Sequence, residues 1–289
     1  MKYFQEHVIQ TICLICAAIS VVAVLAIFYS LGYDGYPIIS DWLLNGFGMR
    51  WIPHGGIYGA TPLIINTFNA GIGCTVIATI IGIPTAIYLA EFANNRLRNI
   101  VKPCLEILTG FPSIILGIVG ASIVVGAIST IGGPGTGGGL LAVWIVVGIM
   151  SLPTVATISE DAIKAVSKDL KEASLGLGAT RWQTMTRVTI PVATPGILAA
   201  VLLGMGNAIG ETMAAFFIVG TIVPSKIATD PIRGVALIPV QIAQETGNDW
   251  SNMEPYFALG FILFFIIGIL NLIIRRLIRE KDTKTSRRH

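Results

Sequence analysis

The sequence predicts an all-α fold: a polytopic membrane protein with six transmembrane helices and both termini on the cytoplasmic side (N-in, C-in). Three observations predict it. Of 289 residues, 54% are hydrophobic and only 12% charged, against about 25% charged in soluble domains. Apolar residues run for about twenty positions at a time without the polar stripe of a soluble helix. Sixteen of the nineteen Lys and Arg fall in alternate loops.

The first apolar run, about 8 to 31, is longer than the apolar core of a signal peptide. It ends Tyr29-Ser30-Leu31 with no small-x-small cleavage pattern, so it reads as a span. The other five lie near 63 to 90, 105 to 130, 140 to 162, 192 to 222 and 256 to 275, each long enough to cross about 30 Å of hydrocarbon. Pro84, Pro112 and Pro195 interrupt the second, third and fifth. Neighbouring helices must satisfy the backbone groups that proline frees, so these three spans are expected inside a bundle.

Starting inside places Lys2, the Arg96/Arg98/Lys102 loop, the Lys164 to Arg187 loop and the Arg275 to Arg288 tail in the cytoplasm. Only Arg50, Lys226 and Arg233 remain outside, as the excess of cytoplasmic cations requires. The outer loops hold Tyr33, Tyr36, Trp42, Trp51, Tyr58, Trp250 and Tyr256, expected as interfacial anchors. The chain divides into 1–62 (tail, first helix and outer loop), a core 63–278 containing an inner loop 160–191, and a basic cytoplasmic tail 279–289.

Several chemistries are excluded. Cys13, Cys16, Cys74 and Cys104 lie in or beside apolar segments and read as small buried hydrophobes. Cys13 and Cys16 form a C-x-x-C but lack the second ligand pair of a metal site. The glycine-rich stretch 132–139 has Leu140-Leu141 where a nucleotide loop needs Lys and Ser or Thr, and reads as a tight, flexible outer turn. His7, His54 and His289 lie outside the spans, without the spacing of a metalloprotease. No metal, cofactor or nucleic-acid site is expected.

The longest inner loop reads as helix, turn, helix. Residues 159 to 174 are rich in helix formers, Gly176 and Gly178 break them, and Arg181 to Ile190 can form about two and a half turns before Pro191 stops them. Within it Glu172, Ala173 and Ser174 are followed after three residues by Gly178, and nine residues later by Val188-Thr189-Ile190-Pro191. This resembles the coupling loop of ABC importer permeases, whose pattern is E-A-A, three residues, G, nine residues, I-x-L-P. Tyr58 to Pro62, Glu106 to Ser113, Ser151 to Thr154, Ser159 to Ala162, Gly178 to Thr184 and Gly210-Glu211-Thr212-Met213-Ala214 are together similar to phosphate-importer permeases, in particular the member of the pair with Gly-Glu-Thr-Met-Ala in its fifth span.

That resemblance implies a type I ABC importer permease fold and no enzymatic activity in this chain. It also implies partners: a second, related permease forming a heterodimer, a cytoplasmic ATPase dimer, an external phosphate-binding protein and membrane lipid. Arg181 and Trp182, with Glu172, Ala173, Ser174, Gly178 and Pro191, form the expected ATPase contact. Molybdate, tungstate, sulfate and phosphonate stand as alternative cargoes. A secondary transporter would have no use for an ATPase-docking loop and is expected to show matched broken helices in inverted halves.

Glu211 is expected inside the fifth span, where an unpaired carboxylate is costly. Asn207 and Gly204 precede it by four and seven residues, on one helical face, with Thr212 beside it. The family pattern has Arg where this chain has Asn207. Two accounts follow: the partner permease supplies the cation, or Glu211 pairs structurally and backbone donors and hydroxyls carry the ion. Asn66 and Thr67 at the outer entry of the second span, and Ser113 beside Pro112, are further pathway candidates, although packing or backbone satisfaction is the commoner role of such groups in a span. Glu160 and Asp161 read as solvated charges at a helix end.

Overall fold

The computed structural model describes residues 2–133, 135–220, 224–246 and 252–286. Pro134, Trp250, tail residues 287–289 and residues 221 and 222 of the fifth expected span lie outside the described residues. In chain order, α1 (Lys2–Asp34) and α2 (Tyr36–Asn45) lead to a short antiparallel hairpin, β1 (Trp51–Ile52) and β2 (Ile57–Tyr58), paired Trp51 to Tyr58. Then come α3 (Thr61–Ile87) with a π-turn at Tyr88–Phe92, α4 (Asn95–Gly110), α5 (Ser113–Gly120) and α6 (Gly126–Gly132), the last two joined through a second π-turn. α7 (Leu140–Lys164), α8 (Lys168–Gly176), α9 (Arg181–Thr184), a third π-turn (Met185–Thr189), α10 (Ile190–Gly210), α11 (Met213–Ile218), α12 (Ile238–Thr246) and α13 (Glu254–Ser286) follow.

Among the described residues, six helical stretches are long and apolar enough to cross a membrane: Ile9–Asp34, Thr61–Phe92, Ser113–Gly132, Leu140–Lys164, Arg181–Gly210 and Glu254–Arg276. Two differ from the sequence reading. The third span begins at Ser113, because Phe111 is extended (φ −70°, ψ 134°), the conformation favoured before proline; Pro112 therefore ends one helix and starts another. α4 is a separate helix that leads into it. The fifth span begins at Arg181, because Pro191 does not stop the helix. The π-turn at Met185–Thr189 passes the ring and the missing N–H without a break, a use to which such local insertions are suited.

The bundle centres on α3, α7 and α10, which approach closely at small residues. A Cβ on Gly73 of α3 would lie 2.1 Å from Trp144 Nε1 on α7, and one on Gly204 of α10 would lie 2.7 Å from Val155. Small residues at crossing points are what membrane helices use in place of a hydrophobic driving force. Trp144 is fixed there by donating Nε1–H to the Asn69 carbonyl, 3.1 Å away. Beside Pro84 in α3, Thr85 donates its hydroxyl to Ile81 O at 2.7 Å, the bond to the preceding turn that a hydroxyl inside a helix can make.

α1 lies on the outside of the bundle and rests on α13 through Phe28, whose ring is 5.0 Å from Phe261 and 5.3 Å from Phe264. Cys13 and Cys16 on α1, and Cys104 on α4, are exposed, and only Cys74 is buried. Three of the four cysteines expected in the core thus lie on the molecule's outer surface. The outer aromatics divide. Tyr33 and Tyr36 are exposed, whereas Trp42, Trp51 and Tyr256 are buried, with Trp51 edge-on to both Tyr58 and Tyr256. They pack the hairpin against α13 instead of floating at an interface.

The glycine-rich stretch is equally bound. Gly137 N–H reaches Ile232 O (2.8 Å), Gly139 N–H reaches Ile218 O (3.1 Å), and Leu141 N–H reaches Pro231 O (2.8 Å). Residues 137–139 are buried, so this part of the expected flexible turn is a fixed seam. We expect Gly73→Val to destabilise the protein by about 1–3 kcal/mol through overpacking, and Gly126→Ala, whose Cβ meets nothing within 4 Å, to leave it unchanged. Thermal unfolding of detergent-purified protein, followed by size exclusion, checks the pair.

Candidate functional site

Two helix breaks face each other inside the bundle. One is Phe111-Pro112, between α4 and α5. The other is at the end of α10, where Glu211 leaves the helix (φ −69°, ψ 116°) and α11 starts two residues later. Between them, α7 and α13 contribute the remaining walls of a cavity of about 630 Å³. Ser113, Thr154, Asn207, Glu211 and Asn271 give it polar lining among apolar Leu, Ile, Val and Phe side chains. Of the lining residues Glu211 is the one acid, and none is basic.

Glu211 is therefore at a helix end and not in mid-helix. Its Oε1 accepts the Ala214 N–H at 3.0 Å, which satisfies one of the orphan amides at the start of α11. Asn207 is exposed to the cavity, with Nδ2 3.5 Å from Thr154 Oγ1. Gly204, expected on the same face, turns to α7 and packs on Val155. Thr212 is not in the lining; its hydroxyl donates to Gly210 O at 3.2 Å. Asn271 of α13 faces the cavity and drew no attention in the sequence, because a lone Asn in an apolar run carries no spacing signal.

Asn66 and Thr67 lie elsewhere. Asn66 is 1% exposed and holds the outer loop, donating Nδ2–H to Lys226 O (3.0 Å) and accepting the Ala228 N–H (2.9 Å). Thr67 donates to Leu63 O and accepts the Ile238 N–H at 2.9 Å. Both fasten the loop 224–238 to the top of α3, and neither borders the cavity.

The cytoplasmic loop is a built structure. Ser167 caps α8 by accepting the Leu170 N–H at 3.3 Å. Gly178 has φ +83°, a left-handed conformation that favours glycine. Thr180 and Gln183 form a reciprocal capping box at the start of α9. Ser174 and Thr184 hydroxyls meet at 3.0 Å across the turn. Glu172, Ala173, Arg181, Trp182 and Pro191 are exposed, and Leu177 and Trp182 are 90% and 64% exposed, an apolar surface presented outward from the cytoplasmic end.

Glu160 corrects the sequence reading more sharply. It is 1% exposed, not solvated. Arg98 Nε lies 3.6 Å from its Oε1, Lys102 Nζ lies 3.3 Å from Oε2 in ion-pair range, and Lys164 pairs with Oε1. Asp161 is exposed, as read. A second ion pair, Lys171 Nζ to Glu91 Oε1 at 2.5 Å, joins α8 to the π-turn that ends α3.

Residues 82–282 match the family of binding-protein-dependent transport system inner membrane components. The chain is 33% identical over 273 residues to the probable ABC transporter permease protein YqgH of Bacillus subtilis, covering 91% of this chain and 87% of that one. It is 32% identical over 256 residues to the phosphate transport system permease protein PstC of Mesorhizobium japonicum, covering 81% and 78%. Among solved structures, an inward-facing MetNI methionine ABC transporter superposes with a TM-score of 0.60 at 20% identity, over 76% of this chain and 96% of that chain; at that identity the likeness concerns the fold.

The loop geometry carries an expectation independent of any cargo. Gly178→Val should strain the turn and Thr180→Ala should remove the cap, each by about 1 kcal/mol. Limited proteolysis should then cut near residue 178 faster in both variants than in the parent, and unchanged rates would show that the turn is held by other contacts.

Proposed function

This chain belongs to the family of binding-protein-dependent transport system inner membrane components, and from that premise we propose that it is the permease subunit through which an ATP-driven importer moves inorganic phosphate. It is a multi-pass protein of the cytoplasmic membrane and an ABC importer permease. In our reading its partners are a related second permease, a pair of cytoplasmic ATPases seated on α8 and α9, and an external phosphate-binding protein that delivers the ion. Wide similarity to phosphate transport system permease proteins supports this cargo.

The observation that carries the reading is the single acid in a cavity otherwise lined by hydroxyls, amides and apolar groups. A carboxylate repels a fully ionised oxyanion. Phosphate near neutral pH still bears at least one P–OH, which can donate to Glu211, while Asn207, Asn271, Ser113 and Thr154 offer N–H and O–H donors to its charged oxygens. Sulfate and molybdate carry no such proton and would leave the acid facing an anion without a hydrogen bond. Sites built around a substrate hydroxyl reject analogues that lack it.

The same charge balance argues for two different permeases. One carboxylate and no cation make half of an anion pathway, and Arg at the position equivalent to Asn207 in a partner would complete it. ATP binding then moves α8 and α9, and with them the continuous α9–α10 helix whose far end is the cavity wall.

Uptake of labelled phosphate by the complete reconstituted importer, competed by sulfate and molybdate, tests the cargo. Glu211→Gln should assemble normally yet lose discrimination for phosphate by about tenfold or more, the worth of a hydrogen bond to a charged group. Equal selectivity at matched membrane levels would mean that Glu211 only caps α11. Separately, this chain with the ATPase but no second permease should give negligible uptake; full uptake would remove the heterodimer.

A further inference from the structure

We propose that Glu160 is a positioning residue: it locks α4 to the coupling loop, so that α4, and the cavity wall at its far end, moves with the nucleotide state of the attached ATPase. The inference rests on membership of the importer permease family and not on the identity of the cargo.

The Glu160 carboxylate lies one turn before α7 ends, just ahead of α8. Of its three cations, only Lys164 belongs to the same helix; Arg98 and Lys102 come from α4. Arg98 also donates Nη2–H to Leu89 O at 2.6 Å, inside the π-turn at Tyr88–Phe92. From that same turn Glu91 reaches Lys171 of α8. Charges thus join four pieces of the cytoplasmic end: α8, the end of α3, the first half of α4 and the end of α7. Apolar packing of Leu105 with Leu89 and Ala156 adds to the seam.

The other end of α4 is differently placed. Leu108, Thr109 and Phe111 line the cavity, and the Phe111-Pro112 break separates them from α5. A helix pinned at one end by a buried carboxylate and released at the other by a break can tilt as a body. Apolar seams slide at little cost, whereas a buried acid whose partners sit on two helices fixes register, because any slip of α4 takes Arg98 and Lys102 away and leaves the carboxylate with Lys164 alone. The ion pairs therefore set where α4 can go when α8 is moved, giving the cavity a second mechanical connection to the ATPase beside α10.

The test uses the complete importer, purified with its ATPase and partner permease in lipid nanodiscs, in a background with Cys13, Cys16, Cys74 and Cys104 replaced. Spin labels are attached at Ile107→Cys on α4 and Leu272→Cys on α13, both exposed and neither in the cavity lining. The label distance is measured without nucleotide and after hydrolysis of ATP in the presence of vanadate, which takes the place of the released phosphate and traps ADP. In the parent we expect a shift of about 2 Å or more, the scale of packed-helix displacements. Glu160→Gln should abolish the shift while ATP is still hydrolysed by an intact complex, and Glu160→Asp should retain it. Lys102→Met should reduce it, and decides the matter should the Gln variant fail to assemble. An unchanged shift in Glu160→Gln or in Lys102→Met, or no shift in the parent, overturns the proposal. Because no transported ion enters the measurement, its failure is separable from failure of the phosphate reading.

Discussion

Hydrocarbon offers no hydrogen bonds, so every backbone N–H and C=O in the spans must find a partner within the protein. The architecture depends on that constraint. Helices can break only where other elements surround the break, and the two internal breaks, at Phe111-Pro112 and at Glu211, both border the cavity in the middle of the bundle. Groups freed near them find local partners: Glu211 takes the Ala214 N–H, and the Pro112 carbonyl accepts Ile115 N–H at 3.0 Å. The cavity is thus a consequence of where the chain can afford to leave the helix, and its polar lining is what the breaks bring with them.

Charge is distributed under the same constraint. Among the described residues, the ion pairs with buried or half-buried members lie at the cytoplasmic ends of helices, where Glu160 is enclosed by Arg98, Lys102 and Lys164 and where Glu91 meets Lys171. An excess of cations on this side orients the spans. In this protein some of those cations also serve as mortar between helices, so one set of residues settles topology and cytoplasmic packing together.

Span number and the coupling-loop pattern could be read from the chain because both are local: one is a run of apolar residues, the other a fixed spacing over twenty residues. What escaped was set by distance. Glu160 shows one cation four residues away in sequence, and the two that bury it lie about sixty residues earlier on α4. The structural partners of Asn66 and Thr67 were hidden in the same way, because Lys226, Ala228 and Ile238 are more than 150 residues away. Proline was ambiguous for a different reason. Pro112 ends a helix, whereas the chain stays helical past Pro191, which directly follows a π-turn, and past Pro153 and Pro195, which directly follow none; composition does not separate the cases.

That π-turn has a mechanical consequence. Because it carries the helix past Pro191, Arg181–Gly210 is one helical stretch of 30 residues, about 45 Å long at 1.5 Å per residue. Trp182 stands exposed at its cytoplasmic start and Asn207 faces the cavity near its end. A helix that stopped at Pro191 would absorb a displacement of the loop in a joint; an unbroken one transfers it to the residues that border the cavity. The break is deferred to Glu211, so the helix runs unbroken along the cavity from Leu202 to Gly210 and its displacement changes the cavity's shape instead of being absorbed before reaching it.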